Sequence, residues 1–192
     1  MRVYWCDLAP LLAQPERLLG WCGGQGLSLA PYLRLDDAAR HLAGARLRRL
    51  AGADGVPPAR LSISHSGTLV VCARGAGPLG IDTEQVCPSA GPLPLSFLTH
   101  QERLWLDGQA QPSLAFLRLW TRKECLLKAE GGSLADLASL PCLVEGGLLL
   151  PRAGGLRFRE LSILPGYVTS LCARKVAPVA LRPLSLDQVF PL

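Results

Sequence analysis

Residues 68–74 read Thr68-Leu-Val-Val-Cys72-Ala-Arg74, and residues 169–174 read Thr169-Ser-Leu-Cys172-Ala-Arg174. Each is a run of strand-forming residues ending in Cys-Ala-Arg, and each follows a helical segment and a group of glycines. The helix before the first is Asp36 to Leu50. There Leu35, Ala39, Leu42, Ala43, Leu47 and Leu50 share one stripe, and Asp36 stands as N-cap. Gly52 and Gly55 with Pro57 and Pro58 end it. The helix before the second is Ser113 to Ala129, closed by Gly131-Gly132. A short apolar match carries little weight alone, because apolar strands resemble one another. Combined with the repeated element order, it predicts an α+β fold of two pseudosymmetric lobes, each a small antiparallel sheet packed with a long helix. The lobes are expected at 1–78 and 79–192, as one compact unit with the site between them.

The other elements are placed around this pair. Residues 1–8 suit a short opening strand. Leu61–His65 and Thr68–Ala73 read as a hairpin turning at Ser66-Gly67. Pro78 breaks the chain before a strand at Ile81–Glu84, and a loop rich in proline runs from Pro88 to Pro94. Thr99 and Glu102 have capping-box spacing for a short helix. From Pro141 to about Arg174 the chain reads as short strands punctuated by glycine and proline.

Composition narrows the function classes. Of 192 residues, 49% are hydrophobic and 18% charged, far from a disordered chain. A net charge of +5 favours an anionic partner. Lys123, Lys128 and Lys175 are the only lysines among 20 basic residues, which singles out two of them in one helix as candidate point charges. The seven cysteines are an odd number with no Cys-x-x-Cys pair, which argues for a reducing compartment and against a disulfide framework or zinc site. No apolar leader or stretch of roughly 20 apolar residues is seen, so a cytoplasmic protein without a membrane association is expected. The basic residues do not interleave with stacking aromatics, so nucleic acid is not an expected partner.

Two segments carry chemistry. In Gly80-Ile-Asp82-Thr-Glu84, alternation puts Asp82 and Glu84 on one strand face, about 7 Å apart along the backbone, where one cation can bridge their side chains. Gly80 is expected to leave that face open for a ligand. Hard oxygen ligands of this kind suit Mg²⁺ or Mn²⁺, although a lone Asp-x-Glu also reads as the polar face of an edge strand. In Trp120-Thr-Arg-Lys-Glu124-Cys-Leu-Leu-Lys128-Ala-Glu-Gly131, Trp120, Glu124 and Lys128 form an i, i+4, i+8 stripe on an otherwise apolar helix. A surface Glu→Lys pair is the bland reading, and a charged site beside tryptophan the sharper one. Ser64 and His65, in Ser62-Ile-Ser64-His65-Ser66-Gly67, lie at a turn where hydroxyls, imidazole and amides can meet a phosphate. Glu102 reads equally as capping residue or as a further site carboxylate. Arg40 reads by default as a solvated charge, and His41 and His100 as ordinary surface residues.

Assembled in order, these segments resemble the 4'-phosphopantetheinyl transferases, specifically the pseudo-dimeric type that activates carrier proteins of peptide and polyketide synthases. The matching stretches are Asp37-Ala-Ala-Arg40, Ser62 to Gly67, Gly80 to Glu84, Phe97-Leu-Thr-x-x-Glu102, Trp120 to Gly131, and Gly166-Tyr167 leading into Leu-Cys172-Ala. The resemblance implies an Mg²⁺-dependent transfer of the phosphopantetheine arm of coenzyme A to a serine of an apo acyl or peptidyl carrier protein. Adenosine 3',5'-bisphosphate leaves. It implies that Asp82, Glu84 and Glu124 hold the metal, that Glu124 deprotonates the serine, and that Lys128 neutralises charge on the phosphate. Arg40, Ser64, His65 and Lys128 would contact coenzyme A, and a monomer is expected. The family's basic residues before the first helix are missing, since Trp21 to Tyr32 has neither lysine nor arginine. Gly55-Val56-Pro57 stands where the family has Gly-Lys-Pro. The ribose phosphate is then either weakly held or held by Arg34, Arg46 or other arginines. The alternative reading is a non-catalytic relative that binds carrier protein or nucleotide.

Overall fold

The computed structural model describes residues 1–52, 55, 57, 60–87, 95–175 and 178–191. The proline-rich loop read at Pro88–Pro94, and Val56 and Pro58 of the segment after the first helix, lie outside the described residues. Two four-stranded sheets organise the rest. The first has the order β10-β1-β3-β2, from Ala180–Pro183 (β10), Arg2–Asp7 (β1), Leu69–Arg74 (β3) and Leu61–Ser66 (β2). The second has the order β4-β9-β8-β7, from Leu79–Gln85 (β4), Tyr167–Ala173 (β9), Leu156–Glu160 (β8) and Arg152–Ala153 (β7). A minor two-stranded sheet joins Val144–Glu145 (β5) to Leu148–Leu149 (β6).

The expected pair of helices is present. Helix α3 (Leu35–Ala51) covers the first sheet and α5 (Pro112–Glu130) the second. Three shorter helices flank the first lobe: α1 (Ala9–Leu12), α2 (Pro15–Gly24) and α6 (Leu186–Val189). A fourth, α4 (His100–Asp107), packs against α5. Helix α5 stops at Gly131, whose φ of 74° puts it in the left-handed conformation that a side chain would strain. Asp36 is not the N-cap of α3, as the sequence suggests. Arg34 holds that position without a side-chain capping bond, and Asp36 and Asp37 lie in the first turn, where their charge complements the positive end of the helix dipole.

The strands of the internal echo occupy matching places. Val70 and Cys72 of β3 face α3 with Ala39, Ala43 and Leu47, while Cys172 of β9 joins Phe116, Leu119 and Leu126 of α5. The opposite faces meet in the middle, where Val3, Leu69, Val71 and Ala73 pack on Ile81, Leu171 and Ala173. The alternation of period two thus feeds one helical core per lobe and one shared core between them.

The division at residue 78 misses the end of the chain. β10 pairs in parallel with β1, with Arg2 opposite Ala180 and Trp5 opposite Pro183, so the first sheet is not purely antiparallel. Beyond it, Val189 and Phe190 enter the first lobe's core, Phe190 meeting Trp21 edge to face at 5.0 Å. Buried apolar area draws this tail across to the first lobe. No helix among the described residues is long and apolar enough to cross a membrane.

Candidate active site

β2 and β4 are the facing edges of different sheets, and serine side chains join them. The amide N–H groups of Ile81, Thr83 and Gln85 donate to the hydroxyls of Ser62 (3.0 Å), Ser64 (3.3 Å) and Ser66 (3.1 Å). Two of these serines also donate forward: Ser64 to Asp82 Oδ1 at 2.7 Å and Ser66 to Glu84 Oε2 at 2.7 Å. Each hydroxyl therefore satisfies an amide of an otherwise unpaired strand edge, and two of them orient a carboxylate as well. The alternation Ser62-x-Ser64-x-Ser66 was the sequence signal for this seam. Only Ser64 was read from it as a contact for coenzyme A, and its donor already serves Asp82.

Gly80 has another task than the one expected. A Cβ there would collide with the backbone of Cys125, carbonyl first. The glycine lets β4 lie directly against α5 rather than leaving room for a ligand. This close approach brings Glu124 and Lys128 onto the face that carries Asp82 and Glu84. Lys128 donates to Asp82 Oδ1 at 2.7 Å and to the Ile81 carbonyl at 3.4 Å, with Glu124 Oε2 at 3.8 Å. Trp120 Nε1 donates to Glu84 Oε1 at 3.2 Å, and its ring sits in an aromatic group with Phe97 and Phe116.

These side chains line one cleft of about 260 Å³, with Ile63, Ser64 and His65 on one wall and Asp82, Glu84, Trp120, Glu124, Lys128 and Leu134 around it. Three carboxylates face one ammonium there. Burial pushes the carboxyl groups of Asp82, Glu84 and Glu124 above their ordinary range. For Asp82, Lys128 and Ser64 oppose that rise. Burial disfavours the Lys128 ammonium, but Asp82 beside it outweighs this and leaves its pKa raised. His65 is held below its usual value by burial first and by the Arg40 guanidinium second, so the imidazole is neutral near pH 7.

Among the described residues, no three His, Cys, Asp or Glu side chains are drawn close enough to enclose a metal ion as they stand. Lys128 occupies the space between Asp82 and Glu124. The donor chemistry nevertheless fits a hard divalent cation. Asp82 Oδ2 and Glu124 Oε1 are buried without a hydrogen-bond partner, and the excess of carboxylates over ammonium leaves negative charge uncompensated.

Other candidates take structural places. Glu102 is the capping residue: its Oε2 accepts from Thr99 N at 2.9 Å, and its Oε1 from Leu143 N at 2.9 Å. It pairs with Lys123 at 3.1 Å, both side chains 0% exposed, so neither reaches the cleft. Lys123 is thus a core ion rather than a point charge for a ligand. Arg40 is not solvated. Its guanidinium donates to the Gly67 carbonyl at 2.9 Å, to Asp36 at 3.2 Å and to Asp37, which ties the turn after His65 to α3. Arg34 pairs with Asp36, and Arg46 donates to the Val189 carbonyl. Leu134, 65% exposed at the cleft mouth, carried no sequence signal.

Residues 78–146 match the family model of the 4'-phosphopantetheinyl transferase superfamily. Similar proteins include the 4'-phosphopantetheinyl transferase Sfp of Bacillus subtilis, 30% identical over 126 residues that cover 62% of this chain and 56% of Sfp. The 4'-phosphopantetheinyl transferase psf-1 of Bacillus pumilus is 31% identical over 132 residues, covering 64% and 56%. The 4'-phosphopantetheinyl transferase gsp of Aneurinibacillus migulanus is 40% identical over 72 residues, covering 36% and 30%. The chain therefore spans about half the length, or less, of the curated relatives it matches. The mixed α+β fold with small antiparallel sheets is consistent with that superfamily. Over these matched stretches the chain is similar to the 4'-phosphopantetheinyl transferase superfamily and to the Sfp and gsp proteins.

Proposed function

We propose that the protein transfers the 4'-phosphopantetheine arm of coenzyme A to a serine of an apo acyl or peptidyl carrier protein, releasing adenosine 3',5'-bisphosphate. The observation that carries this is the meeting of Asp82, Glu84, Glu124 and Lys128 in one cleft, with two buried carboxylate oxygens unpartnered. Asp82, Glu84 and Glu124 would hold Mg²⁺, with Mn²⁺ as a substitute. The metal would neutralise the pyrophosphate and polarise the phosphorus under attack. Glu124 takes the proton of the incoming serine, directly or through water, and its raised pKa suits it to that role. Lys128 meets the charge that develops on the phosphate oxygens. His65, as a neutral donor, binds a phosphate of coenzyme A, and Arg40 holds its turn in place. Ser64 aims Asp82.

We read the protein as a monomeric cytoplasmic enzyme that needs neither nucleic acid nor membrane. The test is incubation with coenzyme A, Mg²⁺ and a panel of apo carrier proteins, followed by intact-mass measurement. The phosphopantetheine mass increment on a carrier is expected. Coenzyme A binding by calorimetry with no increment on any carrier would instead identify a non-catalytic relative.

A further inference from the structure

The two Cys-Ala-Arg runs bring their strand ends to one place. Arg74 closes β3, and Arg174 follows the last residue of β9. Arg2 of β1 and Leu61 of β2 both stand opposite Arg74, while Leu79 of β4 stands opposite Ala173. Residues 75–78, which connect β3 to β4, lie at this same end. A cavity of about 540 Å³ opens there, its lining including Met1, Arg2, Arg60, Arg74, Ala76 and Lys175. An adjoining cavity of about 280 Å³ shares Met1, Ala76 and Lys175 with it and adds Arg174. Among the described residues, neither space shares a lining residue with the cleft. Arg60 stands four residues ahead of Ser64, roughly 13 Å along an extended chain.

The cations at this end lack counter-charges. Among the described residues, Arg2, Arg60, Arg174 and Lys175 make no side-chain hydrogen bond or ion pair, and no carboxylate lines either cavity. Arg74 is engaged, donating to the Ala51 carbonyl at 3.0 Å, and is not counted with them. The four are exposed residues, within reach of a ligand arriving from solvent. Elsewhere the chain pairs its arginines: Arg17 with Asp187, Arg34 and Arg40 with the first turn of α3, and Arg118 with Glu160. Cations gathered without a partner repel one another, and an anion between them relieves that repulsion.

We propose that Arg2, Arg60, Arg174 and Lys175 bind a compact multivalent phosphate of the inorganic triphosphate class, and that the bound anion ties the two lobes together. Arg2 and Arg60 belong to the first lobe, and Arg174 and Lys175 follow β9 of the second. The four come from three separate parts of the chain and converge on one spot, which suits a small anion of high charge. An acidic peptide is extended and is better met by a strip of cations along one element. Guanidinium forks match phosphate oxygens bidentately, and the lysine adds a point charge. This site is separate from the cleft and does not depend on how the cleft is read.

The test is calorimetry of the full chain with inorganic triphosphate at low salt and without metal. Wild type is expected to bind at one site, and the double variant Arg60→Gln with Lys175→Gln to bind about 10-fold or more weaker, as loss of charge-assisted contacts requires. Both positions are exposed, so the variant keeps the native circular dichroism. Triphosphate should also raise the unfolding temperature of wild type and leave that of the double variant nearly unchanged. Lys128→Met, which removes the ammonium of the cleft, should bind triphosphate as wild type does. A wild-type protein that does not bind triphosphate, or a double variant that binds it undiminished, overturns the proposal. Loss of binding in Lys128→Met assigns the anion to the cleft and overturns it as well. An oligoglutamate of equal charge that binds as tightly would replace the phosphate with an acidic peptide, and so would also overturn it.

Discussion

Lys128 donates to Asp82 across 2.7 Å, linking a helix and a strand that lie 46 residues apart in the chain. The ammonium thereby sits where a bound cation would also seek the same oxygens. Removing it separates two effects. Lys128→Met should lower the transfer rate about 100-fold or more, because charge on the phosphate loses its partner. The same variant should bind Mg²⁺ more tightly in calorimetry, because a competing cation has left the carboxylates. Unchanged values for both would place the ammonium outside the chemistry.

Glu124→Gln and Asp82→Ala should each abolish detectable turnover while circular dichroism retains the native signature. Glu124→Gln keeps the side chain's shape and removes a base, so ligand binding should survive better than catalysis. Near-normal rates in both variants would refute the assignment of the site. In wild type, a chelator should stop turnover and added Mg²⁺ should restore it.

His65 gives a pH dependence of known sign. Its folded pKa lies below the ordinary 6.5, so the unfolded chain takes up a proton first as pH falls. Stability is full above that value and is lost between it and the lowered folded pKa. Urea titrations of wild type and His65→Gln over this window should show the steeper loss only in wild type.

Ser64→Ala removes the hydroxyl that serves both Asp82 and the buried amide of Thr83. Leaving that amide unmet should cost about 1–3 kcal/mol in denaturant unfolding. Transfer should weaken further as the Asp82 carboxylate loses its orientation, and Ser64→Thr should recover both in part.

Gly80→Ala should destabilise by about 1–3 kcal/mol or more, because the added methyl meets Cys125 backbone rather than a movable side chain. Gly108→Ala is the control, its nearest neighbour being the Trp105 carbonyl at an ordinary 3.6 Å. Equal effects at the two positions would contradict the close approach of strand and helix.

Much of this arrangement was legible because the relevant patterns are local. The stripe Trp120, Glu124, Lys128 needs only helical periodicity, and the common face of Asp82 and Glu84 needs only strand alternation. Thr99 and Glu102 make their capping box as spaced. What failed depended on distant partners. Gly80 reads as open space until α5 is known to press on it, and Lys123 reads as a ligand group until Glu102 is seen beneath it. Arg40 looked solvated because its acceptor, the Gly67 carbonyl, lies 27 residues away. β10 and α6 were missed because their partners are at the opposite end of the chain.

The serine seam between β2 and β4 has a consequence for how such a cleft can change. Main-chain ladders fix neighbouring strands about 4.8 Å apart, whatever side chains they bear. Here the two strand edges are joined instead through three serine hydroxyl groups. Substitutions at Ser62, Ser64 and Ser66 therefore act on the contact between the sheets without touching the main-chain ladders within either one. The seam is thus a join written in side chains, open to change one serine at a time.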